Sequence, residues 1–343
     1  MALLTESSRQ LFPLGDFLLE SGITLPDAKV AYVTLGTYRP ERNTAILLPS
    51  WYAGDYQGYE FLIGADKALN PDEHFLILTE MFANGNSSSP SNTPPPFNGP
   101  NFPRVTIRDN VAAAYRLLTE KLGVTHLQAV IGFSMGAQQA FQWAVSHPDF
   151  VDAIVASCGT ARTCPHGVAR LESAISTFKA DEAFRDGNYS TFPAKGFAAW
   201  SQHWKAWMFS QEWYRRELFK ADYATLDEML QDHTSWQGSD ANNLISQAVT
   251  WQQHNVGTTP GFAGDHEKAL ASIQAQVLYL PGQTDLYFPI GDAEYERQFI
   301  RHLHFVPIPS LWGHTAGAGP NPADAAFVNT EVRNFLTGLP KVS

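Results

Sequence analysis

The sequence predicts an α/β fold: a mainly parallel central sheet with helices on both faces and an inserted helical lid. Three observations predict it. Short continuous apolar runs at 45–48, 127–131, 151–157 and 276–280 read as strands buried on both faces, as in parallel sheets. Stretches of helical spacing alternate with those runs. From about 161 to 264 the alternation stops, and helix-like patterns stand there with almost no strand signal. The chain is therefore divided into a first core part, 1–160, a helical lid, 161–264, and a second core part, 265–343.

Taken in order, 16–22 and 23–36 read as paired strands, the second β-rich from Lys29 to Leu35 and closed by Gly36. Ala45 to Leu48 is a buried strand, followed by a loop through Ser50, Trp51 and Tyr52. Tyr59 to Leu69 has helical spacing, and His74 to Thr79 is a further strand. Asn84 to Arg104 is rich in Asn, Ser, Pro and Gly, so it is a long loop, of the kind that is functional or disordered. Thr106 to Asp109 reads as a capping box opening a helix through Leu122, with Ala112, Tyr115, Leu118 and Leu122 on one face and Gly123 as its stop.

The elements continue with a strand at 127–131, a helix at 138–147 and a strand at 151–157. Within the lid, Trp200, Trp204 and Trp207 form one helical stripe. After it come a strand at 276–282, a helix at 292–302, a strand at 303–308 and a helix at 325–336. No internal repeat is present.

Composition narrows the function classes. The 343 residues are 44% hydrophobic and 17% charged, enough for a sizeable core. The net charge is −11, and no basic run stands out, so nucleic acid is excluded as a partner. No apolar run reaches membrane-spanning length, and Met1 to Glu6 lacks a signal pattern. Two cysteines, Cys158 and Cys164, are too few for a disulfide framework. A cytoplasmic protein is expected.

The chemistry centres on Gly132-Phe133-Ser134-Met135-Gly136, a G-x-S-x-G between a strand and a helix. Such a turn exposes the serine hydroxyl, while a helix N-terminus beside it offers N–H groups to an anion. A serine is nucleophilic at neutral pH only with a base in reach and a group that orients the base. Asp285, after the 276–280 strand, and His314, after the last strand, follow the order acid then histidine. His266, His302 and His304 are rival bases, and Asp265 and Asp292 rival acids. His302 and His304 lack a third ligand at suitable spacing, so no metal is assigned, and the chemistry needs no cofactor. The oxyanion donors are assigned to the N–H groups of Met135 and Tyr52, with Trp51 as second choice for the latter.

Gly132 to Trp143, Phe102 to Asp109 and the polar loop 84–91 resemble the homoserine O-acetyltransferase family of the α/β-hydrolase fold. The order of elbow, helical lid, Gly-x-x-Asp and Gly-His is similar throughout. The resemblance implies an acyl-serine ping-pong mechanism, an acyl-CoA donor for transferase members, and a homodimer. Two departures bear on substrate. Thr315 stands where the family has an Asp beside the catalytic His, and Phe209 stands where it has the lid Arg that meets the acceptor's carboxylate. An amino-acid zwitterion needs both counter-charges in a dry pocket. The sequence therefore points to a serine hydrolase for an ester, thioester, lactone or amide of a mostly apolar acyl compound. The alternative is an O-acyltransferase with an uncharged alcohol acceptor, and a catalytically inactive binding module ranks third. Trp51, Phe133, Trp200, Trp204, Trp207, Phe209 and Thr315 are the pocket candidates.

Overall fold

In chain order the strands are β1 (Gln10–Leu18), β2 (Thr24–Leu35), β3 (Ala45–Pro49), β4 (Phe75–Thr79), β5 (Ala129–Phe133), β6 (Ala153–Ser157), β7 (Gln276–Leu280) and β8 (Leu303–Phe305). They form one sheet in the order β1-β2-β4-β3-β5-β6-β7-β8. The structure is a computed structural model and describes residue 4 and residues 9–340. The N-terminal hexapeptide read above lies outside the described residues except for Leu4. Pairing is antiparallel for β1 with β2 and β2 with β4, and parallel across the rest. Every residue of β3, β4, β5 and β6 is buried, which is why those runs are apolar without alternation.

The first ten-residue helix, α1 (Ile107–Arg116), and α2 (Met135–Ser146) cover one face of the sheet. The last helix, α10 (Pro322–Gly338), covers the other through Val328, Val332 and Phe335. Between β6 and β7 the described chain makes helices: α3 (Pro165–Lys179), α4 (Ala194–Met208), α5 (Gln211–Arg215), α6 (Leu226–Gln231), α7 (Ala241–Gln252) and α8 (His266–Ala271). A short helix, α9 (Ile290–Glu296), follows β7. No helix among the described residues is long and apolar enough to cross a membrane.

Several expectations are corrected. The first strand begins at Gln10, not Asp16, and its register shifts around Gly15. Pro13 and Gly15 sit within it because an edge strand tolerates a missing donor and a bulge. The 59–69 stretch is not an α-helix: a 3₁₀ turn runs from Tyr56 to Leu62 and buries Tyr56, Tyr59 and Leu62, a spacing of three. The helix expected at 292–302 ends at Glu296, and the strand expected to reach Ile308 ends at Phe305. The capping box of α1 is present, with Thr106 accepting from the Asp109 N–H, but Ala112 faces solvent and the buried stripe is Val111, Ala114 and Leu118. Beyond Arg116 the helix widens into a π turn, Leu117–Lys121.

The 84–104 loop is ordered by side chains. Ser87 and Ser88 accept from the backbone N–H groups of Ala31 and Lys29, so the loop runs on beside β2 where β4 ends. Asn243 on α7 accepts from the Ser91 N–H and donates to the Ser91 hydroxyl, tying the loop to the helical segment.

Candidate active site

Ser134 stands between β5 and α2 with φ 56° and ψ −122°, a conformation that L side chains rarely adopt. Such a residue costs about 1–3 kcal/mol and persists only where its surroundings hold it. Here the Ser134 N–H donates to the Ser157 carbonyl, and the Ser134 carbonyl accepts from Ala137 and Gln138. The two glycines of the motif permit the close packing around the turn. A Cβ on Gly132 would lie 2.0 Å from the Gly136 carbonyl oxygen, and one on Gly136 would lie 2.6 Å from that of Pro49.

Asp285 and His314 come from loops beyond β7 and β8 and meet at the serine. The His314 Nδ1 lies 2.8 Å from the Asp285 Oδ2, and its Nε2 lies 2.9 Å from the Ser134 Oγ. A carboxylate only accepts, so Nδ1 carries the proton and Nε2 is free to accept from the hydroxyl. The other Asp285 oxygen accepts from the N–H groups of Tyr287 and Phe288, at 2.7 and 3.2 Å, which fixes the carboxylate plane. Thr284 joins the two loops, donating to the Ser310 carbonyl and accepting from the Gly313 N–H. Ser134, Asp285 and His314 are all buried; the serine is only 2% exposed.

The rival groups lie elsewhere. His302 and His304 are exposed. His266 opens α8 and stacks on Tyr295, while Asp265 caps that helix. Asp292 is in the first turn of α9. Among the described residues, no group of three or more His, Cys, Asp or Glu side chains is placed to hold a metal.

The oxyanion candidates face the same turn. Met135 is the first residue of α2, so its N–H has no acceptor one turn back. The Tyr52 N–H meets no protein acceptor among the described residues. The loop that carries it is braced on three sides. The Ser50 carbonyl accepts from Gln139 Nε2, the Ala53 N–H donates to Gln247 Oε1, and the Tyr56 N–H donates to the buried Glu80. Gln247, on α7, also donates to the Ala83 carbonyl.

Aromatic rings surround the histidine. Phe133 lies 4.8 Å from the His314 ring, Tyr287 stacks on it at 4.3 Å, and Phe288 lies at 5.6 Å. Trp51 meets Phe133 edge-on. Trp200 and Trp204 are buried and reach the site through the ring of Tyr52. Of the other pocket candidates, Trp207 packs on His166 at the margin of the cluster that holds Tyr52, Met135 and Tyr287, and Phe209 stacks on Trp213 at 3.9 Å beside a satellite cluster. Thr315 donates its hydroxyl to the Trp312 carbonyl and carries no charge to the site.

Sequence reasoning missed Tyr287, Phe288, Trp251, Gln247, Glu80 and Arg170. Only the position of Tyr287 and Phe288 just after Asp285 could have signalled any of them. Arg170, on α3, is 2% exposed, and none of its three nitrogens has a hydrogen-bond partner. Its guanidinium carbon lies 4.4 Å from the Tyr287 ring centre, 4.7 Å from that of Trp251 and 5.2 Å from that of Trp204. Burial lowers its pKa, opposed by Tyr287 and Asp285. Stacking on desolvated rings returns about 2 kcal/mol each. Taking a guanidinium out of water without an acceptor costs several kcal/mol or more.

A sheet of this topology, with a serine on a strained strand–helix turn and an acid and histidine from later loops, defines a class of α/β enzymes. The profile of the alpha/beta hydrolase fold family matches residues 46–317, and the chain belongs to that family. Ethyl acetate hydrolase of Pseudomonas veronii is 35% identical over 311 residues, covering 89% of this chain and 88% of the relative. The structure of an acetylester hydrolase from Corynebacterium glutamicum superposes with a TM-score of 0.92 at 31% identity, covering 96% of each chain. Homoserine O-acetyltransferase of Symbiobacterium thermophilum is 28% identical, over 97% of this chain and 94% of the relative.

Proposed function

We propose that this protein is a serine esterase that hydrolyses small-molecule esters of mostly apolar acyl groups. The observation that carries the reading is the hydrogen-bonded run from Asp285 through His314 to Ser134. The Ser134 oxygen attacks the ester carbonyl while His314 Nε2 takes its proton, and the oxyanion is held by the N–H groups of Met135 and Tyr52. His314 then gives the proton to the departing alcohol, leaving an acyl-serine. Water, deprotonated by His314, attacks that intermediate and releases the carboxylic acid, restoring Ser134. Asp285 steadies the imidazolium in both steps. Trp51, Phe133 and Tyr287 shape the pocket beside the histidine, and helices α3 to α7 act as the lid over it.

A second reading is supported by the low exposure of Ser134: a site closed to water suits acyl transfer from acyl-CoA to an uncharged alcohol. It is the weaker reading, because two esterase relatives are 34–35% identical over 88–89% of this chain, whereas homoserine O-acetyltransferases matched over as much of it are 24–28% identical. A p-nitrophenyl ester series run with and without added alcohols separates the two. Hydrolysis expects p-nitrophenol release with free acid as the sole acyl product; transesterification dominating at modest alcohol concentration overturns it. The free cysteines Cys158 and Cys164 support a reducing, cytoplasmic setting, and light scattering tests the homodimer.

A further inference from the structure

Among the described residues, Arg170 is the one buried cation beside the candidate site that the proposed reaction does not use. No carboxylate forms an ion pair with it among the described residues, and Asp285, the acid that acts on it electrostatically, is already bonded to His314, Tyr287 and Phe288. Its neighbours share the same deficit. The indole N–H of Trp251 is buried without a partner, and that of Trp204 has only the buried Tyr52 hydroxyl beside it. These side chains touch one another: Tyr52 lies 5.2 Å from Trp204 and 5.7 Å from Trp251, ring to ring, and Trp204 stacks on Trp251. The guanidinium and the indoles can only donate, and the Tyr52 hydroxyl, which can also accept, has its proton to give. A cluster in which donors outnumber acceptors is complementary to an anion, and the planar guanidinium fork matches a carboxylate.

The cluster also borders the reacting atoms. Tyr287 stacks on His314 and also lies under the Arg170 guanidinium, and Tyr52 carries the second oxyanion N–H. A single ring, that of Tyr287, therefore lies between the guanidinium and the His314 imidazole.

We propose that Arg170, with the hydroxyl of Tyr52 and the indoles of Trp204 and Trp251, forms a carboxylate subsite of the substrate pocket. The carboxylate comes either from an ester substrate that bears one or from the acid released by hydrolysis. The subsite rests on the reading of Ser134 as nucleophile, so its test includes an arm that needs no turnover. Arg170 is closed to solvent, so helices α3 to α7 must part for the anion to enter.

The experiment compares monoethyl succinate with its uncharged isostere, ethyl isocaproate, in wild type and in Arg170→Met. A carboxylate-bearing substrate predicts that wild type favours the charged ester and that the ratio of the two kcat/KM values falls about 30-fold in the variant, the scale of a charged hydrogen bond. A product subsite predicts no such preference, but competitive inhibition by acetate or succinate that weakens in Arg170→Met. In both cases succinate at matched ionic strength raises the Tm of wild type and of Ser134→Ala above chloride, with no chemistry required. The proposal is overturned if wild type shows no charge preference, no carboxylate inhibition and no Tm rise over chloride. If Arg170→Met does not fold, Arg170→Lys and the wild-type arms decide. Carboxylate binding in a protein that turns over no ester would refute the serine reading and leave the subsite standing.

Discussion

Ser134 carries the strain of the fold at its most consequential atom. Its backbone sits at φ 56°, where glycine is at ease and serine is not. Two substitutions therefore separate chemistry from conformation. Ser134→Ala removes the hydroxyl and keeps the strain, and ester turnover is expected to fall about 10⁵-fold with Tm nearly unchanged. Ser134→Gly is equally inactive but relieves the strain, and denaturant unfolding should show it about 1 kcal/mol more stable than Ser134→Ala. A glycine variant no more stable than the alanine one would mean that the turn is not under tension.

The candidate triad was legible at this scale because a short motif and two loop positions carry it. The residues that brace it were not. Tyr287, Arg170 and Gln247 reach the site from three different segments, and no local spacing marks them. Trp207 belongs to a helical stripe and Phe209 to the position of the family's lid Arg, and neither signal says what a side chain packs against.

Among the elements, the buried strands and the capped start of α1 followed directly from local pattern. The edge strand β1 and the 3₁₀ turn at Tyr56–Leu62 did not. In the first, pairing overrode Pro13; in the second, a spacing of three was read as the helical period. The capping box invites a test. Thr106→Ala should cost about 1 kcal/mol in unfolding experiments. Asp109→Ala should cost more, since Asp109 also accepts from the Glu20 N–H and so anchors the turn between β1 and β2.

The role of the 84–104 loop, unreadable from composition, is to join β2 and α7. Gln247 on that helix holds both the Ala53 N–H and the Ala83 carbonyl. Gln247→Ala is expected to lower kcat about tenfold with little change in KM, because it loosens the neighbour of the Tyr52 donor rather than the binding walls. An equal loss confined to KM would show that Gln247 only shapes the pocket.

For the molecule as a whole, buried acids set the pH dependence of stability. Burial raises Glu80 to about 7 and Glu296 to about 8, from the ordinary 4.5. The folded chain thus holds protons that the unfolded chain has released, so stability falls as pH rises towards 8. Burial also lowers His203 to about 4 and His254 to about 3, which works the other way below about pH 6.5. The clean window is therefore pH 6.5 to 8, where Tm should decline with pH. Glu296→Gln should flatten that decline, and an unaltered slope would show that Glu296 is ionised throughout.

The most direct measurement of the central claim is labelling with a fluorophosphonate followed by peptide mapping. The account predicts one covalent adduct, on the peptide that contains Ser134, formed in step with loss of esterase activity and abolished in His314→Ala. Full activity surviving alongside an unlabelled Ser134, or an adduct on another residue that tracks inactivation, would contradict it.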